Sequence, residues 1–106
     1  MGRILDLSVF RQETLDITLL DGTTARVGKP SQRMVIEVLK LRNINAKTKP
    51  ETVIRAMDDL VLGILNSNVD GRAFAAEDLA NLTFEMKNAI ISAYNAFVIE
   101  MQANPT

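Results

Sequence analysis

Apolar and polar residues change their period along this chain, and each change predicts an element. From Glu13 to Val27 apolar residues alternate with polar ones, as in a strand buried on one face. Asp21-Gly22 breaks the alternation and marks a hairpin turn. Register then selects the kind of turn. A two-residue loop at Asp21-Gly22 would put Ala25 and Val27 on the face opposite Leu15, Ile17 and Leu19. A three-residue loop, Leu20-Asp21-Gly22 with Gly22 left-handed, pairs Leu19 with Thr23, Ile17 with Ala25 and Leu15 with Val27. All the apolar side chains then share one face, so this bulged loop is the expected one. Two strands alone are marginal in water, and the apolar face must lie on helices or on another chain. Residues 1–13 form a weakly patterned lead-in anchored by Ile4, Leu5, Leu7, Val9 and Phe10.

Beyond the hairpin the period becomes helical. Lys29-Pro30-Ser31 stops the strand and starts a helix, with Ser31 as N-cap. Met34, Val35, Val38, Leu39 and Leu41 make its apolar side, opposite Arg33, Glu37 and Lys40, and fraying is expected near Asn43-Ile44-Asn45. Thr48 and Glu51 have the spacing of a capping box for a second helix, with Pro50 in its first turn. Val53, Ile54, Met57, Leu60, Val61, Ile64 and Leu65 then recur at spacings of three and four, the cleanest periodic signal in the chain. Asn66-Ser67-Asn68 and Asp70-Gly71 predict a loop. A short helix is expected over 76–81, where Glu77 and Asp78 suit a helix N-terminus. Thr83 caps a last helix reaching about Gln102, before Asn104-Pro105.

These elements predict an α+β fold, mainly α: an N-terminal β-hairpin followed by three to four helices. At 106 residues there is room for one domain, with the lead-in and hairpin in 1–28 and the helical part in 30–104. The last helix carries only Glu85, Lys87 and Glu100 as charges, and its apolar residues spread over much of its circumference. Such a helix is buried centrally or shared with a partner. Ile90, Ile91, Tyr94, Phe97, Val98 and Met101 are therefore the candidate protein-interaction surface, and Tyr94 is expected to be half-buried with its hydroxyl at the surface. Met57, Met86 and Met101 are adaptable partner contacts or core filler.

Composition narrows the chemistry. The chain has neither Cys nor His, which excludes thiolate nucleophiles, imidazole metal sites, Ser-His-Asp triads and disulfide scaffolds. Asp58-Asp59 and Glu77-Asp78 are the carboxylate clusters, but neighbours on a helix point about 100° apart and form no dyad. Asn66, Asn68 and Asp70 have the alternating spacing of a calcium loop without the closing bidentate acid, and ordinary helix-stop chemistry accounts for them. Gly22, Gly28 and Gly71 build no phosphate-cradling loop. Lys29 at a helix start is a candidate anion contact, although a solvated Lys is commoner. No enzyme, cofactor or metal is expected. No export signal, myristoylation signal or membrane-spanning run is read.

With 12 Lys and Arg against 13 Asp and Glu, the near-neutral chain is a poor nucleic-acid binder. The second helix of the basic stretch is also too apolar for a recognition helix. The charge is uneven, however. Arg26 to Arg55 holds eight basic residues and two acids, whereas Ala56 onward holds two basic residues and seven acids. Either these are solvated helix faces, where each surface pair is worth ~0–1 kcal/mol, or opposite-sign ends associate head to tail.

Two passages carry a family resemblance. The passage Leu20-Asp21-Gly22 to Val27-Gly28-Lys29-Pro30-Ser31 resembles the opening of small tail assembly chaperones of tailed bacteriophages and prophages. The closing passage from Asn88 to Pro105 is similar to their last helix, with an aromatic-bearing apolar stripe before a short polar tail. The resemblance implies a non-catalytic, oligomeric protein of the host bacterial cytoplasm. It would bind the phage tape measure protein and help tail tube subunits assemble around it, with a longer frameshifted form often made beside it. The alternatives are a structural tail or head-completion component, or a small regulator that binds DNA or a host protein.

Overall fold

The computed structural model describes residues 5, 13–42, 47 and 49–103. Strands β1 (Leu15–Thr18) and β2 (Thr24–Val27) pair antiparallel, with Leu15 opposite Val27 and Ile17 opposite Ala25. The Leu19 N–H donates to the Thr23 carbonyl at 2.7 Å and the Gly22 N–H to the Leu19 carbonyl at 2.9 Å. Gly22 has φ +84°, a left-handed value that costs other residues strain. The three-residue bulged loop expected from register is the one formed. Asp21 Oδ1 holds it from outside, accepting from the Thr23 N–H at 2.9 Å and hydroxyl at 2.6 Å.

Helix α1 (Gln32–Arg42) begins as expected, with Ser31 Oγ accepting the Met34 N–H at 3.3 Å. Met34 and Val38 face inward, but Leu39, placed on the apolar side by its spacing, is 48% exposed. Helix α2 (Pro50–Asn66) takes Lys49 as its N-cap, with no side-chain cap, and Pro50 as its first residue. The Thr48 of the expected capping box lies outside the described residues, as do Asn43 to Ala46. Of its seven periodic residues, Met57, Leu60, Val61, Ile64 and Leu65 are buried, Val53 is half-buried and Ile54 is half exposed. Gly63 lets α1 approach α2, because a Cβ there would lie 3.3 Å from Met34 Sδ and Cε.

The loop after α2 is built by its two asparagines. Asn66 brackets Phe74, donating to its carbonyl at 3.1 Å and accepting its N–H at 2.7 Å. Asn68 Oδ1 accepts the N–H groups of Asp70 and Arg72, and its amide donates to the Leu65 and Arg72 carbonyls. So ordered, the loop runs along the far edge of β2, where the Val69 N–H donates to the Arg26 carbonyl at 2.8 Å and the Gly28 N–H to the Ser67 carbonyl at 3.1 Å. The short helix expected over 76–81 is instead a 3-10 turn, Ala76–Leu79. Asp78 Oδ2 reaches back to the Ala75 N–H at 2.7 Å, and buried Leu79 pins the turn. One turn closed in this way turns the chain without room for a longer helix.

Thr83 then caps α3 (Phe84–Ala103), its Oγ1 accepting the Met86 N–H at 3.1 Å. The fold is α+β and mainly α. α2 packs against α1, α3, β2 and the 3-10 turn, and β1 packs against α3. The hairpin's apolar face is therefore covered by the chain's own helices, with Val27, Val61, Ile64, Leu65 and Tyr94 as the most deeply buried side chains.

Candidate interaction surface

The six residues named as the candidate protein-interaction surface of the last helix point into the core. Tyr94 has no exposed surface, Ile90, Ile91, Phe97 and Val98 are at most 9% exposed, and Met101 is half-buried against them. Of the two expectations for such a helix, central burial or sharing with a partner, these residues follow the first, which corrects their reading as a surface. α2 and β1 flank this side of α3, so the apolar excess on its circumference is largely consumed at home. The Tyr94 hydroxyl, expected at the surface, is buried with no hydrogen-bond partner among the described residues. Burial pushes its phenol up from 10 to about 12, since the phenolate would lose its hydration. The Tyr94 and Phe97 rings meet at 6.5 Å between centroids, tilted to one another.

Apolar side chains that do reach solvent lie elsewhere. Phe84, the first residue of α3, is 64% exposed and Ile54 on α2 is 50% exposed. With Met57 they line a small niche of about 130 Å³ around an ion pair, in which Lys87 Nζ lies 2.8 Å from Asp58 Oδ1. The Lys87 side chain is only 17% exposed, so its stem is packed while its charge is neutralised by a helix neighbour. Phe84 and Ile54 leave apolar surface in water whose burial by a partner would be favourable. Ile36 and Leu39 form a second exposed apolar pair, on α1.

Spacing placed Leu39, Ile54 and Met57 on apolar helix faces and carried no sign that Leu39 and Ile54 reach solvent. Ile54 falls within the periodic stripe of α2, and Phe84 is the first residue of α3.

A third surface is a groove between β1 and α3. One part, of about 330 Å³, is lined by Asp16 to Leu20 and by Leu82, Met86, Ala89, Ile90 and Ala93. The next, of about 600 Å³, is lined by Glu13 to Leu15 and by Ala93, Ala96, Phe97, Glu100 and Met101. Of the six expected residues, Ile90, Phe97 and Met101 thus show an edge in this groove.

The charges form local pairs. Arg26 forks onto both Asp70 oxygens, which raises the guanidinium and lowers the carboxyl from their ordinary values. The Asp21 carboxyl is lowered by its bonds from Thr23 and, further, by Arg72 at 3.5 Å. Arg72 also lies over the Phe74 ring at 4.6 Å. At Arg26–Asp70 the basic and acidic segments of the sequence meet within one molecule.

The calcium-like spacing of Asn66, Asn68 and Asp70 resolves into loop bonds and an ion pair. Among the described residues no three acidic side chains gather as a metal site would need, and no helix is long and apolar enough to cross a membrane. Comparisons with protein-family models, curated proteins and solved structures each return no match to this chain.

Proposed function

We propose that this chain is a non-catalytic tail assembly chaperone of a tailed bacteriophage or prophage, which binds the helical tape measure protein in the host bacterial cytoplasm. The observation that carries an interaction role is the exposed pair Phe84 and Ile54 around the Lys87–Asp58 ion pair. A client helix with apolar residues at i and i+3 or i+4 would seat them on this rim, burying two large side chains that otherwise meet water. The phage assignment is supported by the resemblance of the Leu20-Asp21-Gly22 turn, the Lys29-Pro30-Ser31 helix start and the closing helix. Met57, at the base of the niche, gives the packing latitude that a chaperone needs to release its client. Tail tube subunits would then replace the chaperone along the tape measure.

Co-expression with the tape measure protein encoded nearby, followed by pull-down, tests this reading. Recovery of the pair, lost in Phe84→Ser with the fold intact, is the expected result. Recovery no better than with an unrelated coiled coil overturns it. Mass spectrometry of purified particles separates a chaperone, absent from the virion, from a structural tail or head-completion component.

A further inference from the structure

The outer edge of β1 has the features of a strand receptor. Leu19 exchanges a hydrogen bond with Thr23, so in an antiparallel ladder Ile17 and Leu15 also turn their backbone groups toward β2. The N–H and C=O of Asp16 and Thr18 therefore point the other way, and no backbone partner meets them among the described residues. β2 shows the same alternation from its side, since Arg26 turns its carbonyl away from β1 to accept from Val69. From Leu15 to Thr18 the edge carries no Pro, no Lys and no bulge; what guards it is its shortness, four residues, and the charge of Asp16, which a cationic strand would meet favourably.

The groove described above runs along this edge. Consecutive residues, Glu13 to Leu15 and then Asp16 to Leu20, line its two parts, which places it beside the strand and not beneath one face. Ala93 lines both parts, so they adjoin along the strand. The helical wall of this trough carries exposed Ala89, Ala93 and Ala96, whose small side chains obstruct an approaching backbone least. Apolar contacts are supplied by Ile17, Leu19, Ile90 and Met86. The charged residues lining the trough are Glu13, Asp16 and Glu100; Arg26, across the hairpin from Asp16, partly offsets that one carboxylate, and the lining stays negative.

We propose that this trough binds an extended, cationic segment of another protein by strand addition. The incoming strand pairs with the backbone of Asp16 and Thr18. Its alternate apolar side chains lie on the alanine wall, and its intervening Lys or Arg residues meet the three carboxylates. The proposal rests on the edge and the trough alone and holds whether or not the client of the niche is a tape measure protein.

Fluorescence anisotropy of the full chain with a labelled peptide of alternating Val and Lys tests it, alongside a Val–Glu peptide and a Val–Lys peptide broken by a central Pro. The expected result is saturable binding of the unbroken Val–Lys peptide only, weakening with salt. Amide exchange at Asp16 and Thr18 should slow by roughly tenfold or more in the complex. Thr18→Pro removes an outward N–H without touching the Leu19–Thr23 pair and should weaken binding by about tenfold. The doubly reversed Asp16→Lys, Glu100→Lys chain should do the same, and it serves alone if the Pro variant fails to fold. Equal binding of the Val–Glu peptide, binding unaffected by these variants, or no binding at all overturns the proposal. So does a dimer of the free chain that Thr18→Pro dissolves, because the edge would then belong to a second copy.

Discussion

Replacing Tyr94 with Phe should make this protein more stable. The Tyr94 ring has no exposed surface, and its hydroxyl is buried with no hydrogen-bond partner among the described residues. An unpartnered buried hydroxyl forfeits its bonds to water at a cost of about 1–3 kcal/mol. Removing the oxygen leaves a hole of roughly 10 Å³, worth only about 0.2–0.3 kcal/mol at the usual cavity cost. The net gain is therefore about 1–3 kcal/mol. Each kcal/mol raises the melting temperature of a domain near this size by about 4–8 °C.

The pH dependence carries the same information with a definite sign. In the unfolded chain the phenol ionises near its ordinary value of 10, whereas in the folded chain burial holds it protonated to about 12. Above pH 10 the unfolded state thus releases a proton that the folded state keeps. Stability from this group is whole below pH 10 and is lost as pH climbs toward 12, with a slope of at most about 1.4 kcal/mol per pH unit. Tyr94 is the only Tyr and there is no Trp, so tyrosinate absorbance during an alkaline titration reports this one group. Urea denaturation of the two chains at neutral and alkaline pH completes the test. A Phe variant less stable by about 1 kcal/mol, or an ordinary phenol titration, would refute the reasoning, since either means that the hydroxyl is well bonded or wet.

Lys87→Met leaves Asp58 in its half-buried place without a partner and should cost about 1–3 kcal/mol by urea denaturation, most of it recovered on adding Asp58→Leu. Equal stability of the Lys87 variant and the parent would show that the pair behaves as a solvated one. Gly22→Ala meets no atom within 4 Å, so its cost, about 1 kcal/mol in a thermal melt, is backbone strain alone, and Gly22→Asn should cost less. Equal losses for the two variants would point to a steric cause instead. Phe97→Asp puts a carboxylate at a site only 8% exposed and should unfold the chain, with loss of the far-ultraviolet helical signal. An unaltered melting temperature would mean that this side of α3 opens to water.

Local patterns were legible where one short stretch of chain decides the outcome. The Gly22 bulge followed from the alternation of Leu15, Ile17 and Leu19 against Ala25 and Val27, because a one-residue slip would have moved half of those side chains to the wrong face. Ser31 and Thr83 were legible as caps because a hydroxyl three residues before an orphan N–H is itself a sequence feature. Lys49 was not, since a bare N-cap with Pro50 behind it leaves no side-chain signal. The candidate site was read less well. The stripe of Ile90, Ile91, Tyr94, Phe97, Val98 and Met101 was recognised as one apolar set, but nothing in its spacing says whether the matching surface belongs to the same chain.

By itself the sequence determined the order of elements, the register of the hairpin, the main helix starts and the chemistry that the absence of Cys and His excludes. Only the tertiary structure decided that α2 and β1 cover the greasy side of α3, so that Phe84, Ile54 and the β1 edge face the solvent instead. Periodicity measures how much apolar surface a helix carries and in which direction. Which neighbours occupy that direction depends on contacts between residues far apart in the chain, such as Leu15 with α3 or Arg26 with Asp70, and no local pattern encodes them.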